Sequence, residues 1–159
     1  IDPTAQYIAT IETEKGDIVL ELYPDVAPLA VNSFIFLAEN GWFDGVTFHR
    51  VIPGFMAQAG DPSGTGYGGP GYAFSNETSP DYTFEGPGVL AMANAGADSN
   101  GSQFFITHDS ATQLNGGYTI FGHVLTGMDV LESLTARDPS TNADLPPGDL
   151  ILSVTIEQR

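Results

Sequence analysis

The sequence predicts a mainly β fold: an antiparallel sheet, closed on itself or packed as a sandwich, accompanied by two helices. Three features carry this reading. Short segments of period-two or β-branched and aromatic character recur along the chain, Gly- and Pro-rich turns separate them, and only two stretches space their apolar residues as a helix does.

The elements follow in order. Tyr7, Ala9 and Ile11 alternate with Ile8, Thr10 and Glu12, and Ile18, Leu20 and Leu22 alternate with Val19 and Glu21; with Glu14, Lys15 and Gly16 between them, this is a β-hairpin. Pro24 and Pro28 break the pattern, and Ala27 to Asn40 sets Val31, Phe34, Ile35 and Ala38 on one helical face, ending at Asn40 and Gly41. Residues 46–60 read as two short strands with a bend at Pro53 and Gly54. From Gly60 to Gly71, six Gly and two Pro among twelve residues demand a loop, because so much glycine forfeits too much backbone entropy for a regular element. Strands are expected at Gly88 to Ala93, Gln103 to Thr107 and Thr119 to Leu125, and a second helix at Met128 to Ala136, where Val130, Leu131 and Leu134 share a face. After a proline-rich loop, Asp138 to Asp149, a closing strand has Leu150, Leu152, Val154 and Ile156 on one side and Ser153, Thr155 and Glu157 on the other. No repeat or composition shift marks a boundary, so residues 1–159 are read as one domain.

Composition then excludes whole classes of function. With 4 Lys plus Arg against 20 Asp plus Glu, a formal charge of -16, the chain lacks the clustered cations that nucleic acids and anionic membranes require. Its 42% hydrophobic content and 10 Phe are too apolar for disorder. The absence of Cys removes disulfides, thiolate metal sites and cysteine nucleophiles, and no apolar run approaches the roughly 18 to 20 residues of a membrane span. No signal peptide precedes the fold, yet the first residue is Ile1 rather than Met, the mark of a processed or trimmed chain. The compartment stays open: cytoplasmic, or extracytoplasmic after loss of a signal or anchor. The four cations are Lys15, Arg50, Arg137 and Arg159, so Arg50 is the sole permanent cation between Lys15 and Arg137.

Several motifs fail on context. Gly64, Gly66 and Gly69 fit G-x-G-x-x-G, but Pro62, Pro70 and Gly71 surround them and no helix starts there, so they belong to a structural or substrate-lining loop. His49, His108 and His123 show no paired metal-ligand spacing, and no G-x-S-x-G raises a serine; His108 with Asp109 reads as a loop pair and His123 as a strand residue. Asp98, Asn100 and Gly101 resemble part of a calcium loop whose first carboxylate is replaced by Gly96. Two stretches stand out: Phe48 to Gln58, where one cation lies among apolar residues, and Met92 to Ile106, too polar in its middle for a buried strand. Read alone, Arg50 only neutralises nearby carboxylates, and the second stretch is a surface connection.

Together these segments read F-H-R-V-I-P-G-F-M-x-Q-x-G-D from Phe48, G-T-G-x-G-G from Gly64, M-A-N-A-G from Met92, N-G-S-Q-F-F-I from Asn100 and L-x-G-x-x-x-x-F-G from Leu114. In this order the chain, from about Tyr7 to Ile156, resembles the cyclophilin-type peptidyl-prolyl cis-trans isomerases. The resemblance implies a closed eight-stranded antiparallel β-barrel capped by two α-helices. It also implies catalysis of rotation about X-Pro bonds in peptides and folding proteins, with no cofactor and no metal.

By the same resemblance Arg50 is the catalytic arginine, Gln58 orients it and contacts substrate backbone, and the Asn94 main chain holds the residue flanking proline. Phe55, Met56, Phe105 and Leu114 would form the proline pocket; Gly64, Thr65, Gly66, Ala93, Ala95 and Gln103 would line the peptide groove; Phe104 is assigned to the core. Gln113 stands where many members have Trp, which weakens the expected cyclosporin-type binding, and Tyr118 stands where many have His, keeping an aromatic wall with a polar tip. The expected partners are proline-containing peptides and unfolded or folding proteins, with no nucleic acid; the expected state is a monomer. A module that merely docks Pro-containing segments, and an acidic structural or halophilic surface protein, are the alternatives. The charge of -16 further predicts that peptides with Lys or Arg beside the proline associate faster than those with Asp or Glu.

Overall fold

The structure is a computed structural model that describes residues 1–141 and 144–159. Asn142 and Ala143, within the expected loop from Asp138 to Asp149, lie outside the described residues.

The N-terminal hairpin is β1 (Tyr7–Thr13) and β2 (Gly16–Leu22). Helix α1 (Pro28–Glu39) follows, then β3 (Arg50–Ile52), β4 (Met56–Ala59), β5 (Val89–Met92), β6 (Phe104–Thr107), β7 (Ile120–Thr126), helix α2 (Met128–Ser133) and β8 (Ile151–Gln158). The eight strands form one antiparallel sheet in the order β3-β4-β6-β5-β7-β2-β1-β8. It curls around a core to which both end strands contribute, Val51 from β3 and Ile151 and Val154 from β8. β3 and β8 themselves share no ladder. Isolated bridges, Thr47 to Leu150 and Val51 to Arg137, span that gap, with Ile151 N–H donating to the Val46 carbonyl at 2.8 Å and Phe48 N–H to the Asp149 carbonyl at 3.0 Å.

The central strands are buried on both faces. Inward, Ala57, Ala59, Leu90, Met92, Phe104, Ile106 and Phe121 join the core under α1; outward, Met56, Ala91, Phe105 and Ile120 form a second apolar cluster with Phe84. This is why β6 reads Phe-Phe-Ile-Thr with no polar alternation. Phe104 is core as expected: its ring meets those of Phe34, Phe43 and Phe48 edge-on at 5.5, 5.6 and 6.4 Å. Helix α1 starts with Pro at its first turn, and its open N–H groups on Leu29 and Ala30 donate to the Glu77 carboxylate at 3.0 and 2.9 Å. A carboxylate there also suits the positive end of the helix dipole.

Two expectations are corrected. The second helix stops at Ser133 rather than Ala136, because Leu134 is extended and buried and Thr135 donates from N and Oγ1 to Asp149 at 2.6 and 3.3 Å, drawing the chain off the helix path. In the closing strand the simple alternation fails. A register shift opposite Glu12 and Thr13 turns Ile151 and Val154 inward and leaves Leu152 47% exposed. Ile151→Ala is therefore expected to cost about 2–5 kcal/mol and Leu152→Ala less than about 1 kcal/mol in urea unfolding; the reverse order would contradict this bulge.

Candidate active site

Arg50 on β3 pairs with Gln58 on β4, Gln58 with Phe105 on β6, Phe105 with Ala91 on β5, and Ala91 with Ile120 on β7. Directly paired residues project from the same face, so the register alone sets a guanidinium, an amide and an aromatic ring side by side on the outer surface. Over this row lies a cleft of about 420 Å³ lined by Arg50, Phe55, Met56, Gln58, Thr65, Gly66, Ala93, Asn94, Phe105, Leu114 and Tyr118. A second cavity of about 590 Å³ adjoins it, sharing Gln58, Gly66, Tyr67, Ala93 and Asn94 and adding Ala95 and Gln103. Every residue named from the sequence for catalysis or binding thus lines one or both cavities except Gly64, whose N–H donates to the Asp61 carbonyl at 3.0 Å within the neighbouring loop.

The apolar end of the cleft is rigid. Phe105 stacks on Phe84 at 5.8 Å and meets Tyr118 edge-on at 5.6 Å, while Met56 is buried beside them. Phe84, absent from the sequence reading, backs this wall from an irregular segment and carried no periodic signal; its N–H donates to Asn115 Oδ1 at 2.8 Å. The polar end is organised by amides: Gln58 Nε2 donates to Gln103 Oε1 at 2.9 Å, and Gln103 Nε2 donates to the carbonyls of Gly66 and Gly68 at 2.9 and 3.1 Å. Gln58 therefore reaches Gln103 and not Arg50; its tie to Arg50 is the strand pairing. Among the described residues the Arg50 side chain has no hydrogen bond or ion pair, and the main-chain N–H and carbonyl of Asn94 are likewise without partners. Both residues line the cleft.

The glycine-rich loop is held by Asp61, which sequence reasoning missed although an Asp heading a Gly-Ser run is a familiar turn former. Its buried carboxylate accepts from the N–H groups of Ser63, Gly66 and Gly68 at 2.9, 2.8 and 3.0 Å and from Ser63 Oγ at 2.7 Å. A Cβ on Gly68 would overlap that carboxylate, so only glycine lets the chain close around it. Burial pushes the Asp61 pKa up, but the Ser63 hydroxyl and the N–H groups of Gly68, Ser63 and Gly66 together outweigh it and bring it down to about 2. His49, buried against the same cleft, is held below the usual histidine range by burial, with Asp61 opposing and Arg137 and Arg50 reinforcing the shift. A neutral imidazole results at neutral pH. Pro139 and Ser140 form a further wall that no sequence motif announced.

Residues 8–156 match the family described as cyclophilin type peptidyl-prolyl cis-trans isomerase. The chain belongs to that family. Peptidyl-prolyl cis-trans isomerase B of Streptomyces anulatus is 42% identical over 172 aligned residues, covering 97% of this chain and 98% of that protein. Isomerase B of Bacillus subtilis is 49% identical over 126, covering 79% and 88%. A crystal structure of a Cryptosporidium parvum cyclophilin-type isomerase superposes with a TM-score of 0.87 at 36% identity, covering 98% of this chain and 99% of that one; the same protein was also solved in the presence of the dipeptide Ala-Pro. Among the described residues of this cyclophilin-type chain, no group of three or more His, Cys, Asp or Glu is placed to hold a metal ion.

The Asp61 carboxylate makes the cyclophilin loop acid-sensitive. Its folded pKa lies below its ordinary 3.8, so its contribution is complete above about pH 4 and is lost as pH falls towards 2. Wild type should lose about 2 kcal/mol between pH 6 and pH 2 that Asp61→Asn does not lose, measured by urea unfolding. Equal pH slopes for the two proteins would contradict the assignment.

Proposed function

We propose that this chain accelerates X-Pro rotation by holding the proline ring among Phe55, Met56, Phe105 and Leu114 while the Arg50 guanidinium bonds the prolyl nitrogen as the amide twists. Resonance in the planar amide sets a barrier of about 18–20 kcal/mol, and twisting makes the nitrogen pyramidal and leaves it a lone pair. A guanidinium N–H donates to that lone pair far better than to the planar ground state, and this difference, rather than substrate affinity, lowers the barrier. No bond is made or broken. The observation that carries the reading is the Arg50 side chain, without an internal partner, lining a cleft whose opposite end is apolar and rigid.

Around that centre, the free N–H and carbonyl of Asn94 suit the main chain of the residue flanking proline, and Gln58, steadied by Gln103, contacts the substrate backbone. Gly64, Thr65, Gly66, Ala93 and Ala95 leave room for an extended peptide, and Tyr118 closes the aromatic wall. Substrates are proline-containing peptides and folding proteins, in keeping with the Ala-Pro dipeptide used with the Cryptosporidium relative. The site is complete within this chain, which we read as one domain over residues 1–159 acting as a monomer. The main-chain bonds across the β3 and β8 gap support the finer reading of a closed barrel. Gln113, exposed on the 3₁₀ turn Thr112–Leu114, offers no indole to a cyclosporin-type ligand, and binding of that class is weakened.

Arg50→Ala should lower kcat/KM for an X-Pro peptide by about 10²–10³-fold in an NMR exchange assay, the loss typical of one transition-state donor. Unchanged activity would contradict the role given to Arg50, whereas a module that merely docks Pro-containing segments would keep its folding-assistance function in Arg50→Ala after catalysis is lost. At low salt, peptides with Lys beside the proline should associate faster than those with Glu, the gap closing as ionic strength rises; equal rates at low salt would show that the charge of -16 does not reach the site.

A further inference from the structure

We propose that Arg137 is a positioning residue for Arg50, an inference that rests on the catalytic role given to Arg50 above. Arg50 sits in the middle of a stretch that the sheet supports on one side only: β3 is three residues long, pairs with β4, and ends the strand order. On its open side Arg137 supplies the missing restraint. Its N–H donates to the Val51 carbonyl and its carbonyl accepts from the Val51 N–H, both at 2.8 Å, while its Nη1 donates to the His49 carbonyl at 2.6 Å. Residues 49 and 51, the two chain neighbours of Arg50, are therefore both fixed by one residue from a distant part of the sequence.

The fork of the guanidinium is used on both prongs. Nε donates to the Pro146 carbonyl at 2.9 Å, so the Arg137 side chain ties the His49 carbonyl to a second segment. A lysine, a compact head on a flexible stem, reaches one of the two carbonyls but cannot hold both in a fixed plane, so it supplies only part of the restraint. The arrangement matters because the Arg50 guanidinium has no internal hydrogen bond to set its direction, so its aim depends on the backbone that carries it. Small errors of placement are costly in such sites. Two and three residues beyond Arg137, Pro139 and Ser140 form the cleft wall beside Arg50, so the same anchor also sets the width of the cleft. The Arg137 side chain donates to two main-chain carbonyls, one of them, His49, next to the catalytic side chain.

The test compares wild type, Arg50→Ala, Arg137→Met and Arg137→Lys in an X-Pro exchange assay, at a temperature where circular dichroism shows each protein folded, with the Arg50 Nε–H resonance followed by NMR. Arg137→Met should lower kcat about tenfold with KM within about twofold of wild type, and displace or broaden the Arg50 resonance. Arg137→Lys, which keeps the charge and can reach one of the two carbonyls, should recover only part of the loss, ending about threefold below wild type with a smaller displacement of the Arg50 resonance. Wild-type kcat in folded Arg137→Met, a loss confined to KM, or a loss that Lys does not relieve would overturn the proposal. If Arg137→Met does not fold, the Lys variant decides alone: a displaced Arg50 resonance with reduced kcat supports positioning, and an unmoved resonance with wild-type kcat refutes it. Full activity in Arg50→Ala would remove the underlying reading of Arg50, whereas an inactive Arg50→Ala beside a fully active Arg137→Met would remove only this inference.

Discussion

The register among β3, β4 and β6 is the constraint on which the site depends. Pairing Arg50 with Gln58 and Gln58 with Phe105 places three unlike side chains in one row on one face, and the same register sends Ala57, Phe104 and Ile106 to the opposite core. A slip of one residue would reverse both sets at once, burying the guanidinium and exposing phenylalanine, so the core and the site specify each other. Burial on both faces of the central strands makes that exchange prohibitively costly. The cleft is in this sense a by-product of how the sheet must pack, and the loops add only what the strands cannot supply.

What the loops add is a set of main-chain positions fixed by charged groups used internally. Asp61 gathers the N–H groups of Ser63, Gly66 and Gly68 and so shapes the groove wall; Glu77 closes the start of α1; Asp149 pulls Thr135 out of the second helix. Each carboxylate is matched to N–H donors, which is how an ion can be withdrawn from water without a large penalty. Lys15 follows the same pattern, donating to the Ser133 carbonyl at 2.8 Å and pairing with Asp149 at 3.4 Å. Against this background Arg50 is the exception, a cation that the protein leaves unspent.

Most of the strands and the first helix were legible in the sequence because each is a local pattern: alternation in Tyr7 to Leu22, helical spacing from Val31 to Ala38, a bend at Pro53 and Gly54. The resemblance to the family added the site residues, Arg50 and Gln58 foremost, which no local pattern singles out. What could not be read depends on distant partners. Leu152 looks like its neighbours until the register shift opposite Glu12 turns it outward, and the end of α2 is decided by Asp149, sixteen residues beyond Ser133. Phe84 has no periodicity to betray it, and Pro139 and Ser140 line the cleft just after Arg137, whose bonds to Val51 join distant parts of the chain. Gln58 and Gln103 were both legible as site residues through the resemblance, but the hydrogen bond between their side chains was not.

A crystal structure with a bound X-Pro peptide would show whether the row sets a free guanidinium against the proline pocket. The proline ring should be enclosed by Phe55, Met56, Phe105 and Leu114, with the Arg50 guanidinium turned onto the prolyl amide and the peptide main chain bonded to Asn94. A ring seated instead in the neighbouring cavity beside Gly101 and Tyr72, or Arg50 directed away from the amide, would contradict it.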